Sequence, residues 1–414
     1  MADYKKNKQH VFICGSKSIG QYGGYETFVD KLSEYLQEDA DIQLHIACKA
    51  NGDGSMDESG LSDVRQINAH EFRYHGAHCF KIQVPRIGPT AAIWYDLTAI
   101  RACISYCRRF KIRKPIFYIL ACRIGPFIRE LKREIRALGG TLLVNPDGHE
   151  WMRAKWSAPV RRYWKLSERL MVKHADLLVC DSVNIEQYIR EEYRAYSPET
   201  TYISYGSEIA PRAKSDYSSS LPGDRCTEWL WEHDLSPYNY YLAVGRFVPE
   251  NNYLTMIREF MMSRSEKPFA LITNVNESFL SELEEELHFS ADPRIRFVGT
   301  VYDPELLGEI RRCAYGYFHG HEVGGTNPSL LEAMGATDLN LLLDVGFNRE
   351  VAENAALYWS KDPGSLAGLI NYADQMPREE IIRYGKAAKE RIRTAYSWEK
   401  IADQYRGLFR QPVK

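Results

Sequence analysis

Tyr315–Met334 reads YGYFHGHEVGGTNPSLLEAM. Tyr315 to Phe318 is a short apolar run of strand type, followed by a Gly-Gly turn at Gly324-Gly325. Asn327 then stands where an N-cap belongs, and Pro328 takes the first helical position, where its missing N–H costs nothing. Leu330, Leu331 and Met334 supply an apolar stripe at helical spacing. Gly325, Thr326, Asn327 and Ser329 would turn free backbone N–H groups and the positive end of a helix dipole outward, an anion site whose usual occupant is phosphate. Glu332, one turn into the helix, is placed to accept hydrogen bonds from hydroxyl groups such as those of a ribose. An ordinary loop-to-helix junction without a ligand fits the same residues.

Strand, loop and helix in that order are the repeating unit of a parallel α/β sheet, and the unit recurs along the chain. VFICG (11–15), IQLHIAC (42–48), CFKIQV (79–84), PIFYIL (115–120), TLLVNPD (141–147), LLVCDS (177–182) and TYISYG (201–206) read as one series of strands. A second series comprises YYLAVGR (240–246), FALITNV (269–275), RIRFVG (294–299), YGYFHG (315–320), LNLLLDV (339–345) and ALYWS (356–360). The Ser- and Pro-rich stretch PRAKSDYSSSLPGD lies between them and reads as a linker. The expected division is therefore 1–210, a linker 211–238, 239–395, and a terminal amphipathic helix within 396–414. Two doubly wound halves bind ligands at the carboxyl ends of their strands.

The 414 residues suffice for two domains with separate cores, and a net charge of −2 gives no bulk attraction to nucleic acid. Nine cysteines without C-x-x-C spacing point to a reducing compartment and core thiols. No secretory h-region and no membrane-spanning apolar run is present, so a cytoplasmic location is expected. Asp39-x-Asp41 resembles a short metal-binding acidic motif, but its polar setting reads as a solvated turn.

Three further stretches carry chemistry. GQYGGYET (20–27), after the first strand, opens a helix with glycines that let backbone approach a ligand. A dinucleotide oxidoreductase fits poorly, because Gly15 to Gly20 spells GSKSIG and the second strand ends in Cys48-Lys49 where a ribose-binding acid is expected. In VNPDGHEWMRAKW (144–156), Asp147 sits at a strand end like a catalytic carboxylate able to take a proton from a hydroxyl. His149 and Glu150 are alternatives or supports, and a plain helix-capping Asp fits as well. Finally, Arg101, Arg108, Arg109, Lys111, Arg113 and Lys114 fall in a run without acids, interleaved with Ile104, Tyr106 and Phe110. A second basic-aromatic run spans Arg153 to Lys165. Such faces suit an anionic membrane surface, and a solvated basic face is the plain alternative.

GGTNPSLLEAM resembles the donor-site loop of GT-B glycosyltransferases of family 4, which ends in Glu-x7-Glu followed by Ala-Met. Here Glu332 matches the second glutamate and Gly324 stands at the first. GGYETF resembles the same family's N-domain loop, and the NPDG-EW-R-KW pattern resembles its bacterial β-1,4-rhamnosyltransferases of cell-wall and capsular polysaccharide synthesis. The resemblance implies the GT-B fold, two Rossmann-like domains facing a central cleft, with the last helix (397–409) returning to the first. It implies a retaining transfer of rhamnose from dTDP-β-L-rhamnose to a lipid-linked GlcNAc or glucose on undecaprenyl diphosphate, without a metal cofactor. Asp147 would be the base. Gly23, Gly24, Tyr25 and Glu26 would line the acceptor and phosphate side. Arg246 would clamp the donor diphosphate, with Asn251 at the position of a family lysine sharing that load. The implied partners are a nucleotide sugar, the lipid-linked acceptor and the inner membrane surface. A UDP- or GDP-sugar donor, a nucleotide-sugar epimerase or oxidoreductase, and a non-catalytic sugar-nucleotide binding module remain the other readings.

Overall fold

The computed structural model describes residues 8–21, 23–153, 156–209 and 222–411. They form two compact units, Met1–Tyr205 with Trp398–Lys414, and Gly206–Ser397. The first contains β1 (Gln9–Cys14), β2 (Ile42–Lys49), β3 (Arg65–Asn68), β4 (Glu71–Tyr74), β5 (Ala77–Ile82), β6 (Ile116–Leu120), β7 (Thr141–Asn145), β8 (Leu177–Cys180) and β9 (Thr200–Tyr202). Their order is β3-β4-β5-β2-β1-β6-β7-β8-β9. All neighbours from β5 through β9 are parallel, and β3-β4-β5 is an antiparallel edge. The second unit has β10 (Tyr241–Val244), β11 (Phe269–Ile272), β12 (Ile295–Phe297), β13 (Gly316–His319), β14 (Asn340–Leu343) and β15 (Leu357–Trp359), ordered β12-β11-β10-β13-β14-β15. Numbered from its own first strand, that is 3-2-1-4-5-6, the doubly wound order. The parallel strands of the first unit follow the same plan with one strand added. In each sheet the order reverses at one place, between β1 and β6 and between β10 and β13.

Central strands are apolar on both faces because helices cover both. Val11 to Cys14, Phe117 to Leu120 and Tyr241 to Leu242 are wholly buried. Gly15, at the end of β1 with φ 122°, stands so close to β6 that a Cβ there would lie 2.5 Å from the Leu120 carbonyl oxygen. No side chain fits between these strands at the reversal point. The final helix, Trp398–Arg410, packs Trp398 and Tyr405 around Phe28, and the hydroxyls of Tyr405 and Tyr118 lie 3.0 Å apart.

Several elements differ from the sequence reading. The β3–β4 hairpin was not expected, since RQIN is mostly polar and exposed. β5 starts and ends two residues earlier than 79–84, because the Asn51 side chain takes over both backbone groups of Val84 (2.8 and 2.9 Å). Within the stretch read as a linker, residues 210–221 lie outside the described residues, but Asp224–Glu232 is a helix. Its Cys226, Trp229 and Leu230 join the core of the second unit. Asp39 is not a solvated turn residue: its side chain is 2% exposed and held by Arg406 at 2.9 Å and Arg410 at 3.1 Å from the final helix. All nine cysteines are free and buried.

Candidate active site

In the first unit, the loops after β1, β6 and β7 meet at the reversal point. After β7 the backbone turns left-handed three times in succession, at Asp147 (φ 65°), Gly148 (107°) and His149 (51°). Asn145 makes this possible, its side-chain oxygen accepting the Asp147 N–H at 2.8 Å. Non-glycine residues held there cost about 1–3 kcal/mol each, and such strain clusters where chemistry is done. Burial raises the Asp147 carboxyl above the usual carboxylate range; Arg153 and Arg123 pull it down and Glu150 pushes it up. Tyr25 comes from the first turn of the helix that follows β1, Gly24–Leu36. Its hydroxyl is buried without a hydrogen-bond partner, and burial together with the Asp147 charge raises it well above a normal phenol. Arg123, at the end of β6, is locked to the fully buried Asp96 carboxylate (3.0 and 3.1 Å) and to the Gly15 carbonyl at 3.2 Å. Asp147 thus faces a recess whose walls include Pro146, Glu150, Trp151 and Trp164.

The supports take different parts. Glu150 pairs with Arg153 and accepts the Trp156 indole N–H at 3.0 Å, while the His149 ring lies against Tyr188, 4.1 Å between centroids. Burial and Lys165 lower the His149 imidazole, so it is neutral near pH 7. Glu26 folds back to accept the Lys17 N–H at 2.9 Å, which fixes the loop. Gly23 caps the helix Gly24–Leu36, its carbonyl accepting from Thr27 N at 3.0 Å and its N–H donating to the Thr27 hydroxyl. Gly24 is exposed, with open space around it.

In the second unit, the loops after β10 and β13 flank the other reversal point. Asn327 caps Pro328–Ala336 by accepting the Ser329 N–H at 2.9 Å, as its position suggested. Gly325 and Thr326 are buried behind it, and Gly324 has φ 124°. Glu332 is 25% exposed and pairs through Oε2 with Nη1 of the buried Arg311 at 2.7 Å. Arg246 is exposed after β10. The Asn251 side chain is occupied within the protein, donating to the Arg246 carbonyl at 2.7 Å and lying 2.8 Å from His321 Nδ1. It therefore shapes the Arg246 loop, where a free amide sharing the diphosphate was expected; it is short enough to reach both neighbours. Asn252 has φ 58° and bridges to the Gly320 carbonyl and Glu322 (2.8 and 2.6 Å). Unpartnered polar atoms occur at or beyond the ends of β10, β11 and β13: both Glu250 carboxylate oxygens, the Thr273 hydroxyl and His319 Nε2, each on a residue at most 5% exposed. Arg123, Arg311, His321 and Asn252 were missed from sequence. Their one signal was position at or just beyond strand or helix ends.

The basic run is confirmed as exposed at Arg101, Arg108, Arg109, Lys111 and Arg113, but it is not free of acids in space. Glu130 and Glu134 of the neighbouring helix Gly125–Ala137 reach Arg101 (3.8 Å) and Arg108 (2.8 Å). The second basic-aromatic run is divided: Arg161 and Arg162 are exposed, whereas its aromatic residues and Lys165 turn inward. Tyr163 donates to the Arg123 carbonyl, and Lys165 lies 4.5 Å above the Trp151 ring; Ala154 and Lys155 lie outside the described residues. Among the described residues, no cluster of three or more His, Cys, Asp or Glu is placed to hold a metal, and no helix is long and apolar enough to cross a membrane.

Residues 8–208 match a family described as "Domain of unknown function (DUF1972)". No curated protein matches. Solved structures do. A sucrose-phosphate synthase from Thermosynechococcus elongatus shares 16% identity over 98% of this chain and 99% of its own, with a TM-score of 0.73. A glycosyltransferase from Rickettsia africae ESF-5 shares 12% over 97% and 98%, TM-score 0.70. Anabaena HepE in complex with UDP and glucose shares 12% over 97% and 99%, TM-score 0.65. The chain has the GT-B fold, two Rossmann-like domains. The structures it is similar to include glycosyltransferases.

Proposed function

We propose that this protein is a retaining glycosyltransferase that moves L-rhamnose from dTDP-β-L-rhamnose to a lipid-linked GlcNAc or glucose in a β-1,4 linkage. The observation that carries a transferase reading is Asp147: a carboxyl of raised pKa on a strained loop at the reversal point of a GT-B domain, beside Tyr25. In this reading the C1–O bond to the diphosphate breaks, C1 bonds to the acceptor hydroxyl, and that hydroxyl's proton passes to Asp147. The second unit holds the donor, with Arg246 and the N–H groups at Gly325–Asn327 on the diphosphate and Glu332 on the sugar of the nucleoside. Charge on the leaving group is met by these cationic and dipolar groups, so EDTA should leave the rate unchanged; collapse of transfer on chelation would remove metal independence from the reading.

The donor base and the rhamnosyl group rest on the sequence resemblance. Because HepE, a fold neighbour, is seen with UDP and glucose, a UDP-sugar donor is the second reading. A melting-temperature panel with dTDP, UDP, GDP and NAD separates them, since a ligand of the native state raises the transition. A selective rise with dTDP supports the proposal, a rise with UDP or GDP changes the donor, and a rise with NAD alone overturns it. The acceptor's lipid carrier places the enzyme at an anionic inner-membrane surface, with the exposed basic helices of the first unit facing it.

A further inference from the structure

Next to the Asp147 loop stands a polar hub that the proposed reaction does not use. It centres on Tyr188, in the helix Val183–Glu192. A phenol oxygen has one proton to give and two lone pairs to receive with, and here all three are engaged. The Tyr188 hydroxyl donates to Glu168 Oε1 at 2.5 Å, and it accepts from Lys165 Nζ at 2.6 Å and from Trp151 Nε1 at 3.3 Å. Glu168 and Lys165 belong to the helix Ala158–His174, whereas Trp151 lies in the short helix Glu150–Met152 that continues the loop. The Tyr188 ring also carries the His149 ring, and Lys165 Nζ sits 4.5 Å from the Trp151 centroid. Glu168, 3% exposed, is met by Tyr188, by the Tyr193 hydroxyl and, at 3.6 Å, by Lys165. A buried polar network satisfied in this way is rigid.

The loop lacks an anchor of its own. The N–H groups of Asp147, Gly148 and Met152 donate to Asn145 Oδ1, the Pro146 carbonyl and the His149 carbonyl (2.8, 2.9 and 2.7 Å), all inside the segment. None of these bonds joins the loop to a neighbouring strand or helix. Three successive left-handed residues persist only when their surroundings hold them there. His149 ends that strained run and Trp151 follows it closely, and these are the two residues that Tyr188 holds. We infer that Tyr188 is a positioning residue: through His149 and Trp151 it clamps the loop in the conformation that presents Asp147 to the acceptor hydroxyl, a role that rests on the transferase reading of Asp147.

Tyr188→Phe keeps the ring against His149 and removes the hydroxyl. Hydrogen exchange read by mass spectrometry should show the amides of 147–152 exchanging about tenfold faster than in the wild type, with those of β6 unchanged. The kcat for rhamnosyl transfer should fall by about ten- to a hundredfold, the scale for a reacting group displaced by about 1 Å, while the dissociation constant for dTDP stays within about twofold. Exchange in 147–152 equal to that of the wild type overturns the clamp, as does an equal rise in β6, which would mark general loosening. Faster local exchange with an unchanged kcat overturns the positioning role, and so does a loss of dTDP affinity as large as the loss of kcat. Should Tyr188→Phe fail to fold, Trp151→Phe breaks the same hydrogen bond from the loop's side and is judged by the same measurements. A wild type that transfers no sugar from a dTDP- or UDP-sugar would instead overturn the transferase reading, and the positioning role with it, whatever the exchange rates show.

Discussion

Asp147 combines two costs, a left-handed backbone and a carboxyl whose pKa burial raises. A raised folded-state pKa means that ionisation opposes folding: the contribution is harmless below the unfolded value and becomes destabilising as pH rises through the folded one. Asp147→Asn should therefore melt higher than the wild type at pH 7, by about 2–4 °C for each kcal/mol relieved, with the gap closing toward acid pH. The same variant should lose transfer by about a hundredfold or more while retaining nucleotide binding, the usual scale for a proton-transfer group. Lost nucleotide binding would move Asp147 into the donor site, and a lower melting temperature would contradict the burial argument. Asp147 and Tyr25 were legible in the sequence as separate loop residues. Arg123, whose charge acts on both, was not, because LACRIG carries no motif and its partner Asp96 sits inside an apolar helix stripe.

At the scale of elements, the helix start at Asn327-Pro328 was readable because capping is local chemistry. Asn327→Ala should cost about 1 kcal/mol and weaken diphosphate binding together, measured by urea unfolding and by titration with UDP. A stability loss without any change in affinity would detach the cap from the ligand. The β3–β4 hairpin and the helix Asp224–Glu232 were illegible for the opposite reason: the first is short and mostly polar, with Phe72 and Tyr74 its buried residues, and the second follows a Ser- and Pro-rich run that hides its Trp229 and Leu230. A less obvious element-level feature joins β1, β2 and β5. His10 Nδ1 and His45 Nε2 lie 2.9 Å apart, His45 pairs in register with His78, and His78 meets Glu71 at 3.0 Å. Burial, with Lys8 beside it, lowers His10 to about 4; burial also lowers His45 and His78, with Arg73 adding to both and Glu71 opposing at His78. Depressed folded values give stability that is present above the unfolded pKa of 6.5 and is lost as pH falls from there toward 4. The melting temperature should drop by several degrees between pH 7 and pH 5, and His45→Phe, stacking on Phe12, should flatten that slope. An unchanged slope in His45→Phe would assign the acid sensitivity elsewhere.

Across the whole molecule, the alternation of strands and helices announced two doubly wound domains, whereas the charge pattern needed the structure. Three neighbouring helices, Ala91–Arg109, Gly125–Ala137 and Ala158–His174, expose Arg101, Arg108, Arg109, Arg129, Arg133, Arg136, Arg161, Arg162, Arg169 and Lys173. Among their acids only Glu130 is exposed, and Trp94, Phe127 and Leu166 are exposed apolar residues on the same helices. Vesicles containing anionic lipid should retain the protein at low salt and release it as ionic strength rises, at roughly 1 kcal/mol per cation near the surface. Reversing Arg129, Arg133 and Arg162 to Glu should abolish retention, and retention on neutral vesicles alone would contradict an electrostatic face. One feature reaches beyond equilibrium. The first unit takes its final helix from residues 398–410, and residues 206–397 intervene. On the ribosome, the pocket around Phe28 stays open until that helix emerges, roughly 10–40 s after Tyr205 has been synthesised at about 5–20 residues per second. During that interval the nascent chain carries Phe28, Tyr118 and Tyr205 uncovered, so its dependence on chaperones should be set by the speed of translation through the second unit.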